Sequence, residues 1–214
     1  CEVDRRTRLA GLSASVYLAA AGLQATPDVI ETFDLNPDQT GPGLNSELPR
    51  ITYICLLQSQ GFLRETFVYG KSAGGLSPEL IHPNEIMDGA IVSGNYVIPS
   101  NRNPTYFHLN NPVVHELYRR HRTELIFCGV ALCNEHSELE AKEKAVEDTV
   151  GTVKTLGAAG VVVTKEGGGN ADTDLMLMCQ ACESAGIWTV LLGNEAAGPE
   201  GADPSLAHTL READ

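Results

Sequence analysis

The sequence predicts an α/β protein. Its carboxyl-terminal half reads as a parallel-sheet βαβ (Rossmann/flavodoxin-like) unit, preceded by a loop-rich, strand-containing amino-terminal part. Three observations carry this. Ala159 to Thr164 (AGVVVT) and Ile187 to Leu192 (IWTVLL) are unbroken apolar runs, the pattern of strands covered on both faces. Ser137 to Leu156 is amphipathic at helical spacing, and Thr173 to Ala185 reads as a second helix ended by Gly186. Strand, helix, strand, helix, strand at these intervals favours crossovers and parallel pairing.

The remaining elements follow along the chain. Residues 8 to 23 are rich in alanine and small residues, and glycines at 11 and 22 leave helix and paired short strands both open. Residues 26 to 50 carry prolines, glycines and amides without a period and read as loop. Ile51 to Leu57 (ITYICLL) is a buried strand by its β-branched and aromatic content. Thr66 to Tyr69 is a shorter strand, expected to pair with it as a hairpin around Gly61. A further strand falls at Gly89 to Ser93. Asn111 and Pro112 open a helix as cap and first-turn residue. Glu124 to Leu132 is a strand, and Ser137 is the expected cap of the helix that follows.

Composition narrows the partners. Twenty-eight acidic against fifteen basic residues give a net charge of −13, which disfavours nucleic acid, because phosphate binding needs a cationic face. At 43% hydrophobic the chain can bury a sizeable core. No run approaches the roughly 18 apolar residues of a membrane span. The start, Cys-Glu-Val-Asp-Arg-Arg, is charged and does not read as a secretory leader. Six cysteines without a secretory context are expected to be reduced thiols in a cytoplasmic protein.

Ligands of parallel sheets sit beyond the carboxyl ends of the strands. There the sequence places Lys165-Glu-Gly-Gly-Gly-Asn170, directly after a strand and before a helix. The glycines permit close backbone approach and the helix start offers unpaired N–H groups. Glu166 and Asn170, the polar residues flanking the glycines, are the candidate substrate-binding groups. The loop is neither a dinucleotide fingerprint nor a Walker loop, so no nucleotide is implied. Asp172 and Asp174 read as helix-start charges rather than metal ligands. Cys179-Gln-Ala-Cys182 lies inside a helix and reads as structural thiols. The six histidines show no metal-binding spacing, and no metal is expected. No Gly-x-Ser-x-Gly elbow occurs.

Cys1 has more than one reading. It fits a cut end, the residue left by a removed tag, or the product of self-cleavage. Chemically it is either an amino-terminal nucleophile, as in an N-terminal cysteine hydrolase, or the precursor of a pyruvoyl ketone. The first belongs with antiparallel sandwiches, which the βαβ pattern disfavours. A non-catalytic assembly subunit is a third possibility.

Gly160-Val-Val-Val-Thr-Lys-Glu-Gly-Gly-Gly-Asn-Ala-Asp-Thr-Asp-Leu-Met176 resembles the component B precursor of glycine, sarcosine and betaine reductases, whose family includes the pyruvoyl subunit of D-proline reductase. His82 to Ser93, Asn110 to His121 and Leu56 to Gly61 are similar to it too. The resemblance implies that a proprotein cleaves itself before Cys1, and that Cys1 becomes the pyruvoyl group. It implies an anaerobic reductase in which the pyruvoyl takes up an amino-acid amine and a selenocysteine on a partner subunit breaks the C–N bond. The partners it implies are the N-terminal chain of the same precursor and that selenocysteine-containing subunit, in a hetero-oligomer. Segment 1–105 would then carry the pyruvoyl and segment 106–214 the parallel sheet, or the two would form one domain with the other cleaved chain. Gly168 and Ala171 depart from the glycine-reductase loop, which has an aromatic and a proline there. With the chain's length, this shifts the expectation to D-proline reductase (D-proline to 5-aminovalerate), with glycine, sarcosine or betaine reductase as the alternative.

Overall fold

The computed structural model describes residues 2–26, 28–35, 47–60, 65–94 and 103–193. Two units are distinguished, Cys1–Phe33 and Asp34–Asp214. The first holds α1 (Glu2–Gly22). The alanine-rich stretch is therefore helical. Alanine and leucine are the best helix formers, and one interior glycine costs only about 1 kcal/mol. Val16, Tyr17 and Leu18 of this helix are exposed.

The second unit is built on a five-stranded sheet. Its strands are β1 (Arg50–Gln58), β4 (Glu79–Ile81), β6 (Ile126–Glu135), β7 (Gly160–Thr164) and β8 (Trp188–Leu192), in the order β4-β6-β1-β7-β8. β1, β6, β7 and β8 are parallel, and β4 is an antiparallel edge. The expected parallel α/β layout is present. The expected hairpin is not. β1 lies at the centre of this sheet, whereas β2 (Thr66–Val68) joins β3 (Lys71–Ser72) and β5 (Ile91–Ser93) in a small antiparallel sheet of order β3-β2-β5. The reason is burial: β1 is apolar on both faces and covered on both, so it belongs between parallel neighbours rather than at a two-stranded edge.

Helices cover the two faces. α5 (Leu139–Thr155) and α6 (Asn170–Ser184) lie on one. Val146, Val150, Val153, Leu175 and Met178 pack there against Ile54, Leu56, Ala131, Val161 and Val163. Each such side chain contributes about 1.5–3 kcal/mol on burial. α4 (Pro112–Arg120) lies on the other, burying Val114, Leu117 and Tyr118, with the Tyr118 ring edge-on to Phe127 at 5.4 Å. Asn111 caps α4 as expected, its Oδ1 accepting the N–H groups of Val113 and Val114. Ser137 does not cap α5. The cap position is Glu138, and the Ser137 hydroxyl turns to Gln60 Oε1 at 3.1 Å. α6 begins three residues earlier than the periodicity suggested, at Asn170. Short helices α2 (Pro83–Met87) and α3 (Thr105–Leu109) complete the unit.

One register detail fixes the sheet. The β1–β6 pairing shifts between Ile51 and Thr52, where Cys128 is the extra residue of a bulge. Gly129 absorbs it at φ 140°, backbone that side-chain-bearing residues rarely adopt.

Candidate functional site

The strand order defines where a ligand belongs. The chain leaves β1 toward β6 on one side and leaves β6 for β7 on the other. Connections in opposite directions open a crevice at the carboxyl ends of the strands, between β1 and β7. Gln58, Glu135 and Thr164 end the strands there, Gln58 in register with Glu135.

The Lys165–Asn170 loop crosses this rim and is closed on itself. Lys165 Nζ donates to Gly167 O at 2.7 Å and pairs with Asp172 at 2.5 Å. Asp172 also accepts the Gly169 N–H at 2.9 Å and so caps α6. Gly167 needs to be glycine for its φ of 72°; a Cβ there would also displace the end of the Gln58 side chain.

Glu166 is the hub of the rim, and only 4% exposed. Its Oε2 accepts the Gln58 N–H at 3.0 Å, and its Oε1 accepts the Asn103 N–H at 3.2 Å. His108 Nε2 stands 3.2 Å from the same Oε1, off the line of a hydrogen bond, and neither ring nitrogen of this buried histidine has a hydrogen-bond partner. One carboxylate thus joins the end of β1, the segment before α3, and α3 itself. The Glu166 N–H donates to Glu135 Oε1 at 3.2 Å. Glu135 is buried, and its Oε2 has no partner. Burial pushes the Glu135 carboxyl well above the usual carboxylate range, and the charges of Asp174 and Glu166 push the same way. Burial also pushes the neighbouring Cys55 thiol up to about 12.

Asn170 is exposed at the start of α6. Its side-chain amide donates to Ser137 O at 3.3 Å, and its carbonyl accepts from Lys142 Nζ at 3.2 Å. Lys142 and Asp174 form a buried ion pair. Burial raises the Asp174 carboxyl, with Lys142 opposing. Glu166 and Asn170 therefore do not meet over one point. They brace two different residues, Glu135 and Ser137, and both of those line a polar cavity of about 310 Å³ with Ser59, Gln60, Ser72 and Asn134. Ser59 is held there by its hydrogen bond to Asn134.

Cys1 lies outside the described residues. Among the described residues no group of histidine, cysteine or carboxylate side chains is placed to hold a metal ion, and no helix is long and apolar enough to cross a membrane. Cys179 and Cys182 are buried inside α6 and take part in no disulfide. Sequence reading missed Glu135, His108 and Lys142. Glu135 had a signal: Asn-Glu-His follows an apolar run, so β6 could be seen to end on a carboxylate. His108 had none, since its partner is 58 residues away.

The geometry defines an α/β protein with a polar, carboxylate-rich site at the switch point of a parallel sheet. Comparison with known proteins gives the family. The model of "Glycine/sarcosine/betaine reductase component B subunits" matches residues 1–214. The chain is 44% identical over 207 residues to the glycine reductase complex component B subunits alpha and beta of Acetoanaerobium sticklandii, covering 97% of this chain and 48% of that polypeptide. It is 42% identical over 211 residues to the sarcosine reductase complex component B subunit alpha of Peptoclostridium acidaminophilum, covering 99% and 49%. It is 33% identical over 213 residues to the betaine reductase complex component B subunit alpha of the same organism, covering 98% and 48%. No solved structure matches it. The chain belongs to the glycine/sarcosine/betaine reductase component B family. It spans about half the length of the curated relatives it matches.

Proposed function

We propose that this chain is the pyruvoyl-bearing subunit of an anaerobic, cytoplasmic amino-acid reductase of the glycine–sarcosine type. The observation that carries the reading is the family match over residues 1–214. The relatives favour this over the D-proline reductase that the loop departures suggested, because those at 44% and 42% identity are named for glycine and sarcosine.

In this reading Cys1 is the precursor of the pyruvoyl group, which supplies a ketone that takes up the substrate amine and withdraws electrons from it. The remaining residues position and exclude. Glu166 fixes the rim by holding the Gln58 and Asn103 backbones. Asn170 holds the Ser137 backbone. Glu135 places a buried carboxyl, raised above the usual carboxylate range by burial, at the end of β6. The complementary chain of the same precursor and a selenocysteine-containing subunit complete the enzyme.

Intact mass of the purified chain tests the assignment. A pyruvoyl terminus lacks the cysteine nitrogen and sulfur, resists Edman sequencing and reacts with hydrazines. Reconstituted complex should reduce glycine or sarcosine and lose activity on borohydride treatment with substrate. An unmodified cysteine mass in active protein would falsify the pyruvoyl reading. Activity lost to thiol alkylation but not to borohydride would instead mark a cysteine hydrolase, and activity kept after Cys1→Ala an assembly subunit.

A further inference from the structure

The five-stranded sheet is covered unevenly. Ile187 and Leu191 pack into the core beneath α5 and α6, together with Val161 and Val163. Strand side chains alternate between faces, so Val162, Trp188, Val190 and Leu192 stand on the opposite face. The helix on that face, α4, packs on β6. Over β8 it leaves Trp188 80% exposed, Val190 55% and Leu192 45%, although parallel strands are ordinarily buried on both faces. Between α4 and β8 runs an apolar groove of about 630 Å³, lined by Val113 and Leu117 on one side, by Trp188, Val190 and Leu192 on the other, and by Val162. None of these residues belongs to the rim at Glu166 and Glu135. An open apolar face of this kind marks an interaction surface.

The chain that leaves the groove carries a fitting occupant. β8 ends at Leu192 on the wall of the groove. Residues 194–214 belong to the same unit and lie outside the described residues. Within them the run Asp203-Pro-Ser-Leu-Ala-His-Thr-Leu-Arg-Glu-Ala213 has a helix signature. Asp203 is a cap residue and Pro204 a first-turn residue. Leu206, Ala207, Leu210 and Ala213 recur at i, i+1, i+4 and i+7, the spacing of one apolar stripe, and His208, Arg211 and Glu212 fall off it. As a helix, residues 204–214 would span about 16 Å, roughly the length of the five strand residues of β8. The stretch 194–203, with two glycines and a proline, gives the chain room to fold back. The core face of β8 is already taken by α6, so the face left open is the groove. A helix this short does not hold alone in water, and the groove supplies the apolar contact it lacks. Tethered through so short a linker, the stripe is held at an effective concentration on the order of millimolar, which favours it over a second copy of the chain.

We propose that residues 204–213 dock as a helix in the groove between α4 and β8, with Leu206 and Leu210 set against Trp188 and Val190. The sheet is then closed on both faces by its own chain. This closure does not depend on the state of Cys1 and stands even if the pyruvoyl reading fails.

Trp188 is the only tryptophan of the chain, so its fluorescence reports on this groove alone. In the purified 214-residue chain we expect emission well to the blue of the denatured chain's and weak quenching by acrylamide, both unchanged by dilution. Replacing Leu206→Asp and Leu210→Asp together should shift the emission to the red and raise the quenching constant several-fold. Arg211→Gln, off the stripe, should change neither. Emission of the parent at the denatured position, shielding lost on dilution as a dimer dissociates, shielding unmoved by the double substitution, or an equal shift in Arg211→Gln overturns the proposal. Should the double variant fail to fold, hydrogen exchange of the parent decides: protected amides over residues 206–213 support the docked helix, and exchange there at the unfolded-chain rate overturns it.

Discussion

The Glu166 carboxylate accepts the Gln58 N–H at 3.0 Å, joining the ends of β1 and β7 across the switch point. Because the same carboxylate also holds Asn103 and faces His108, its removal bares two backbone donors and a buried histidine. Glu166→Ala should cost about 2–4 kcal/mol and lower the melting temperature by roughly 5–15 °C. Differential scanning calorimetry measures this. A melting temperature within a degree of the parent's would mean that the rim does not depend on the hub.

Lys142 and Asp174 make a different kind of contact, a buried pair whose members are costly alone. Lys142→Met strands a buried carboxylate and should cost about 3–5 kcal/mol. Pairing it with Asp174→Leu should recover most of that, since two apolar side chains replace two charges. The double-mutant cycle in urea reads the coupling directly.

Glu135 gives stability a pH dependence of definite sign. Its carboxyl is raised in the folded state by burial and by Asp174 and Glu166. The folded protein therefore holds a proton that the unfolded chain gives up. The resulting stability is present below the ordinary carboxylate range and is lost as pH rises toward the folded value. Asp174 acts in the same direction. Thermal midpoints of Glu135→Gln and the parent should coincide near pH 4 and diverge in the variant's favour by pH 8. A gap that closes with rising pH would contradict this.

The buried thiols should be silent. Burial pushes Cys55 and Cys182 up to about 12 and Cys133 to about 11, and Cys179 is buried beside them in α6. At pH 8 an aromatic disulfide reagent should leave these four unmodified in the native chain and label all of them in denaturant. Peptide mass mapping locates the label, and rapid native labelling of Cys182 would mean that α6 opens.

The sequence by itself determined the parallel half of the fold. AGVVVT and IWTVLL are apolar but for one threonine each, a pattern that favours parallel strands; β7 is largely covered, whereas β8 is the edge strand and leaves Trp188 and Val190 exposed. It also determined the cap at Asn111, the glycine loop after β7, and Glu166 and Asn170 as the loop's polar members, because each is a local matter of residue type and spacing. Tertiary structure decided the rest. ITYICLL reads as a strand from its composition, but nothing in it says that its neighbours are β6 and β7 rather than β2, since pairing is chosen by burial over long separations. Glu166 was legible as a polar residue at a strand end. Its role as an acceptor for Gln58 and Asn103, 108 and 63 residues away, was not. The same holds for Glu135: a bare oxygen and a raised carboxyl are properties of a surrounding, and that surrounding exists only once β1, β6 and the loop after β7 meet at one end of the sheet.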